Sequence, residues 1–217
     1  METAAFHTLL KRYGMFFVGL VIMSFGIACS IKAELGTSPV SSLPFVLSQF
    51  TPLSVGIASV LVNATLILLQ ILLLRRQYDP IQLIQLPVAL AFGFLTDFSV
   101  WVLQDITCSS YLTQWMLCIC GILLVGIGVS FEVTANVVTL AGEGMVLAIC
   151  KVFPVKFANA KVGMDLTLVT TAAVLSLWFL SELVGVREGT VAAAIFVGLT
   201  AKQVNRPLKR FADQYLA

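Results

Sequence analysis

Polar chemistry is scarce in this chain. Charged residues make up 11% of its 217 positions, and His7 is its one histidine. That scarcity excludes several functions. Cys118-x-Cys120 lacks the spacing of metal ligands, and one histidine cannot complete a zinc site, so no metal is expected. The five cysteines form no framework. Cys29, Cys118, Cys120 and Cys150 fall in or beside apolar stretches and Cys108 stands alone in a loop, so they read as free thiols. No nucleophile is paired with a base, so the sequence predicts no enzyme, no catalytic residue and no cofactor. A small basic tail is the only feature that would attract nucleic acid, and it is too little to predict that partner.

Hydrocarbon fills the chain instead. Apolar residues account for 59% of it and the mean hydropathy is +1.00. A soluble domain of this length has too little interior to hide that much apolar surface. Long apolar spans run over 14–32, 53–74, 81–103, 112–132, 158–180 and 187–205. Each approaches or exceeds the ~20 residues that carry a helix across a bilayer core. One such run would pass for a buried core helix, but six in one short chain would not. The expectation is a single all-α membrane domain over 1–217. Lys11 and Arg12 precede the first span, and Ala28-Cys29 faintly resembles a lipoprotein cleavage site. The stretch 15–31 is longer than a usual signal core, however, and Gly26 stands where a larger apolar residue belongs. A retained first helix is expected. Asn63-Ala64-Thr65 matches a glycosylation sequon but lies inside a span, so it is discounted.

The spans fall into two matching halves. Gly26-Ile27-Ala28-Cys29-Ser30 is echoed by Gly126-Ile127-Gly128-Val129-Ser130. Asn63-Ala64-Thr65-Leu66 is echoed by Asp165-Leu166-Thr167-Leu168, and Gly93 by Gly198. The offset stays between about 100 and about 105 residues, as a duplication with small insertions would leave it. The first repeat covers 14–104 and the second 112–210. Each carries a short segment directly after its first long span, near 38–50 and 143–153. About a dozen residues is too short to cross as a helix. If both short segments dip in and return, Lys11, Arg12, Arg75, Arg76, Lys151, Lys156, Lys161, Lys202, Arg206, Lys209 and Arg210 share one side, while the other keeps Lys32 and Arg187. That bias places the basic side in the cytoplasm. Full crossings would move Arg75 and Arg76 outside and weaken it. The predicted architecture is six transmembrane helices plus two short re-entrant helices in two inverted repeats, with both termini cytoplasmic. Duplicated, interrupted spans of this kind are the layout of many secondary transporters.

Re-entrant backbone leaves amides and carbonyls that hydrocarbon cannot satisfy, so it must be buried in protein or line a wet cavity. The two short segments are therefore the expected site. In the first, Leu35-Gly36-Thr37-Ser38-Pro39, Ser38 suits an N-cap and Pro39 the first helical position. Ser38, Ser41, Ser42, Ser48 and Gln49 fall on one helical face, interrupted by Phe45. In the second, Leu140-Ala141-Gly142-Glu143-Gly144, the two glycines allow close backbone approach. Aligning Leu35 with Leu140 sets Ser38 opposite Glu143. Free amides at helix N-termini suit an anionic group. Thr37, Ser38, Ser42, Asn63, Gly142, Glu143 and Gly144 are the expected substrate-binding residues, with Glu143 and Asp165 taking a coupling proton. Other readings stand beside these: ordinary capping for Ser38; for Glu143 a cap on its own helix, a proton or cation ligand, or a snorkelling carboxylate; and an i−4 pair with Lys161 for Asp165. Asp97 reads as exposed at the interface, Lys32 and Glu132 as markers of span ends with a pathway-facing role as the alternative, and Gln82 and Gln85 as weak candidates near the cytoplasmic interface.

These residues also carry a family resemblance. Lys32-Ala33-Glu34-Leu35-Gly36-Thr37-Ser38-Pro39, Gly142-Glu143-Gly144, the stretch from Phe157 through Lys161 to Asp165-Leu166-Thr167, and Gly185-Val186-Arg187-Glu188-Gly189-Thr190 occur in that order. The chain resembles the YczE/YyaS/YitT group of bacterial integral membrane proteins over most of its length. That resemblance implies a multi-pass protein of the bacterial inner membrane with a transport-related role, and brings no substrate or catalytic set. The expected function is a secondary transporter or facilitator of a small polar or anionic solute, in contact with membrane lipid. The alternative is a non-transporting accessory protein that supports a biosynthetic or secretion complex. Six spans are few to enclose a pathway, which leaves room for a homodimer.

Overall fold

A computed structural model describes residues 2–215; Met1, Leu216 and Ala217, at the ends of the domain 1–217, lie outside the described residues. The described chain is helical: α1 Glu2–Ala33, α2 Pro39–Phe50, α3 Val55–Leu74, α4 Gln85–Val102, α5 Tyr111–Ala135, α6 Ala141–Val152, α7 Phe157–Leu180 and α8 Glu188–Tyr215. Five stretches are long and apolar enough to cross a membrane, namely Thr8–Ala33, Val55–Gln77, Pro80–Val102, Tyr111–Ala135 and Phe157–Leu180. The sixth expected span, 187–205, forms most of α8 but is not among them. Its apolar run stops at Lys202, Gln203, Asn205 and Arg206, which lowers its mean hydropathy.

The segments predicted as short are short. Helices α2 and α6 have 12 residues each, and both are closed by the same bond: Thr51 N donates to Leu47 O, and Phe153 N to Ile149 O. At about 1.5 Å per residue each is about 18 Å long. Ser38 is the N-cap of α2 and Leu140 that of α6, both in extended backbone. This corrects the register read from sequence. Pairing the two N-caps sets Glu143 opposite Ser41, three residues away from Ser38. The loops before the two short helices, 34–38 and 136–140, are equally long, so matching Leu35 with Leu140 slips the second half by three residues.

Helices α1 and α5 cross at the centre of the molecule, with α4 against α1 and α8 against α5. Small residues make the crossing close. A methyl group on Gly26 would meet Gly121 O at 2.8 Å, and one on Gly128 would meet Gly19 O at 2.7 Å. Lipid tails are as apolar as leucine, so burying hydrocarbon gives such helices little drive to associate. Close van der Waals packing and interhelical hydrogen bonds hold them instead. Ser24 Oγ pairs with Ser99 Oγ at 2.9 Å, Ser130 Oγ donates to Ala201 O at 3.0 Å, and Thr134 Oγ1 donates to Asn205 Oδ1 at 2.7 Å. The echoed motif repeats its bond as well: Ser30 Oγ donates to Gly26 O and Ser130 Oγ to Gly126 O, each at 3.0 Å.

Helices α2, α3, α6 and α7 pack beside this centre. Helix α2 lies on α7 and α3, and α6 on α3 and α7. The C-terminal end of each short helix is tied to the C-terminal end of a long helix in the other half. Phe50 stacks on Phe179 with ring centroids 4.5 Å apart, and Lys151 Nζ donates to Gln77 O at 3.1 Å. At the other ends the short helices approach each other: a methyl on Gly142 would lie 3.8 Å from Val40 Cγ1. The echo fails elsewhere. Gly93 presses against Gly56 and Val60 of α3, but Gly198 faces open space, and α7 scarcely touches α8.

Candidate functional site

The end of α5 and the start of α6 are built by one side chain. Helix α5 stops where Asn136 takes left-handed backbone (φ 49°, ψ 44°), with Asn136 N donating to Glu132 O at 3.2 Å. Four residues later α6 begins at a leucine N-cap, which has no side-chain acceptor for a free amide. Glu132 supplies one from the preceding helix: its Oε1 accepts from Leu140 N at 3.1 Å. The residue is 2% exposed, and its second oxygen, Oε2, is buried without a partner.

A cavity of about 370 Å³ opens beside it, lined by Glu132, Asn136, Thr139, Glu143, Leu147 and Phe157 among others. Glu143, half-buried in the first turn of α6, is the second carboxyl on this wall. The two carboxyl groups lie within electrostatic reach of one another, and Lys161 within reach of both. Lys161 is already engaged: its Nζ donates to Asp165 Oδ1 at 2.7 Å. Asp165 makes the i−4 pair with Lys161 and is not among the residues lining this cavity.

A second cavity of about 200 Å³ lies on the other flank of α6, lined by Gln82, Gln85, Thr139, Gly144 and Lys151 among others. Gln70, fully buried in α3, donates from Nε2 to Ala141 O at 3.0 Å and to Gln85 Oε1 at 3.4 Å, while its own Oε1 is unpaired. Gly144 is small because this pair presses on it; a methyl there would lie 2.9 Å from Gln70 Oε1.

The expected residues divide between the two halves of the chain. Gly142, Glu143 and Gly144 lie together at the start of α6. Thr37, Ser38, Ser42 and Asn63 line neither cavity. Ser38 Oγ pairs with Ser41 Oγ at 2.9 Å and does not cap its own helix, although Ser38 holds the N-cap position and Pro39 the first turn. Ser42 Oγ donates to Pro39 O at 2.8 Å and Asn63 Nδ2 to Ser59 O at 2.9 Å, both local bonds. Thr37 is buried and its Oγ1 lacks a partner, while its backbone N donates to Gly185 O at 3.1 Å. Two residues read as span-end or interface groups have other work. Asp97 accepts from Ser54 Oγ at 2.5 Å and Gly56 N at 2.7 Å, so α4 caps α3. Glu132, whose sequence position allows a span-end marker or a pathway-facing group, is the most buried carboxyl of the site. For Gln70 the signal was a lone amide inside an apolar run.

Comparison with known proteins bears out the resemblance. Over 192 residues the chain is 26% identical to the "Uncharacterized membrane protein YczE" of Bacillus subtilis (strain 168), covering 88% of this chain and 84% of that one. Over 118 residues it is 31% identical to the "Uncharacterized protein YyaS" of the same organism, covering 54% of this chain and 57% of that one, a little over half of each. No solved structure matches. With five apolar helices and a membrane relative, this is a multi-pass membrane protein. Residues 10–206 match a family described as "Family of unknown function (DUF6198)", and the chain belongs to that family.

Proposed function

We propose that this protein is a secondary transporter or facilitator of a small polar solute across the bacterial inner membrane, with no covalent chemistry of its own. The observation that carries this reading is the approach of two 12-residue helices by their N-terminal ends, at Val40 and Gly142, with cavities beside one of them. Half-length helices whose N-termini meet inside the protein supply unpaired backbone groups where a solute can use them. The architecture expected from the sequence fits: six crossings counting α8, α2 and α6 as re-entrant segments from opposite sides, and two inverted repeats with cytoplasmic termini. The cross-repeat packing of α2 on α7 and α6 on α3 supports it, as do the paired ties Phe50–Phe179 and Lys151–Gln77.

Of the two solute classes expected, the structure favours the polar one over the anionic one. At the N-terminus of α6 the Leu140 amide is already taken by the chain's own Glu132, with Glu143 beside it, which leaves an added anion fewer donors. Reconstituted protein should carry saturable flux of one member of a panel of small polar solutes, and Gly142→Leu, which fills the gap to Val40, should lower that flux at least tenfold. Absence of flux for every solute from a folded, correctly inserted protein would overturn transport.

A further inference from the structure

We propose that Glu132 and Glu143 form a site for a small organic cation, a protonated or quaternary amine with an apolar body, in the cavity between α5, α6 and α7. This rests on the transport reading of the same site and names its substrate class. Glu132 Oε2 is buried with no hydrogen-bond partner, and Glu143 makes no hydrogen bond or ion pair among the described residues. A buried carboxylate needs a partner. The charged groups facing the pair are Lys161 and Asp165 of α7. These are bonded to each other at 2.7 Å, and among the described residues no hydrogen bond joins the lysine to either glutamate.

The remaining wall chooses among cations. Val133, Val137, Leu147 and Phe157 are apolar, and Asn136 and Thr139 add polar groups. A cavity of about 370 Å³ has the size of a small-molecule pocket. A bare divalent ion would instead draw a tight shell of oxygen ligands around itself, and no group of three His, Cys, Asp or Glu among the described residues can hold one. An alkyl ammonium matches both features: its charge meets the carboxylates, and its carbons meet the aliphatic wall and the Phe157 ring.

The test uses the detergent-purified full chain with tetraethylammonium chloride as probe, against sodium chloride and sodium acetate at matched ionic strength. Tetraethylammonium should raise the unfolding temperature saturably, and the two sodium salts should not. Glu132→Gln and Glu143→Gln should each weaken the apparent affinity at least tenfold. Glu132→Gln keeps an acceptor for Leu140 N, and Glu143→Gln breaks no bond within the described structure, so at least one variant remains folded. Unchanged affinity in both variants, no saturable shift, or an equal shift with sodium chloride would overturn the cation site. Parallel flux measurements in proteoliposomes separate the two readings. Saturable probe binding without flux of any solute keeps the cation site and removes transport. Flux of a neutral or anionic solute without probe binding does the reverse.

Discussion

Asp97 and Glu132 do the same kind of work at two ends of the molecule: each is a carboxylate on one helix that satisfies the start of another. Asp97 holds Gly56 N and Ser54 Oγ, and Ser54 Oγ in turn accepts from Ile57 N at 3.2 Å, so one carboxylate secures the first turn of α3. Hydrogen bonds to a charged acceptor contribute about 1.5–3 kcal/mol each, and an orphaned amide adds a penalty. Asp97→Ala should therefore destabilise the folded protein by about 2 kcal/mol or more, read as a drop in unfolding temperature in detergent, and Asp97→Asn by less. No loss in Asp97→Ala would mean that water replaces the carboxylate. Neither role was legible from sequence. A carboxylate near a span end has the same local signature whether it faces headgroups or caps a neighbour, and only the packing of α4 on α3, or the turn of the loop 136–140, separates the two. What the sequence did show at this scale was Glu143, because an acid beside two glycines in an interrupted span has few cheap explanations.

Among the helices, boundaries were far more legible than partners. The spans expected at 53–74, 112–132 and 158–180 became Val55–Leu74, Tyr111–Ala135 and Phe157–Leu180, since a break in an apolar run marks where a helix leaves hydrocarbon. Partners depend on small residues, and the echo of glycines could not say which ones are used. Gly26 is pressed by Val125 and Gly121, whereas a methyl on Gly198 meets nothing within 4 Å. Gly26→Leu should accordingly separate α1 from α5 and abolish monodisperse, folded protein. Gly198→Ala should be neutral or stabilise by about 0.5–1 kcal/mol, the usual gain of alanine over glycine inside a helix. Size-exclusion chromatography and thermal unfolding read both. A clear loss at Gly198 would mean that this face of α8 is covered in the native protein. The failure of the second half to copy the first has the same origin. Gly56 and Gly93 let α3 and α4 close on each other, and α7 and α8 have no equivalent contact.

The shape of the whole molecule turns on where the short helices return. At about 18 Å, α2 cannot span the ~30 Å hydrocarbon core, so Glu34 before it and Pro52 after it should lie on one side of the membrane. Under the proposed topology that is the outer side, shared with the loop 103–110 that holds Cys108, and Gln77 beside Arg75 and Arg76 should lie in the cytoplasm. Glu34, Pro52 and Gln77 are exposed and Cys108 is half-buried, so all four positions suit labelling. A membrane-impermeant maleimide applied to intact cells should label Cys108, and in a Cys108→Ser background Glu34→Cys and Pro52→Cys. Gln77→Cys should label only after permeabilisation. Labelling of Glu34→Cys and Pro52→Cys from opposite sides would make α2 a crossing. It would then reverse the orientation of everything after it, Arg75 and Arg76 would face outward against the charge bias, and the two repeats would no longer be inverted. The cavity beside Glu132 and Glu143 would open on the outer side instead of the cytoplasmic one, so this one comparison also decides from which compartment a solute reaches the carboxylate pair.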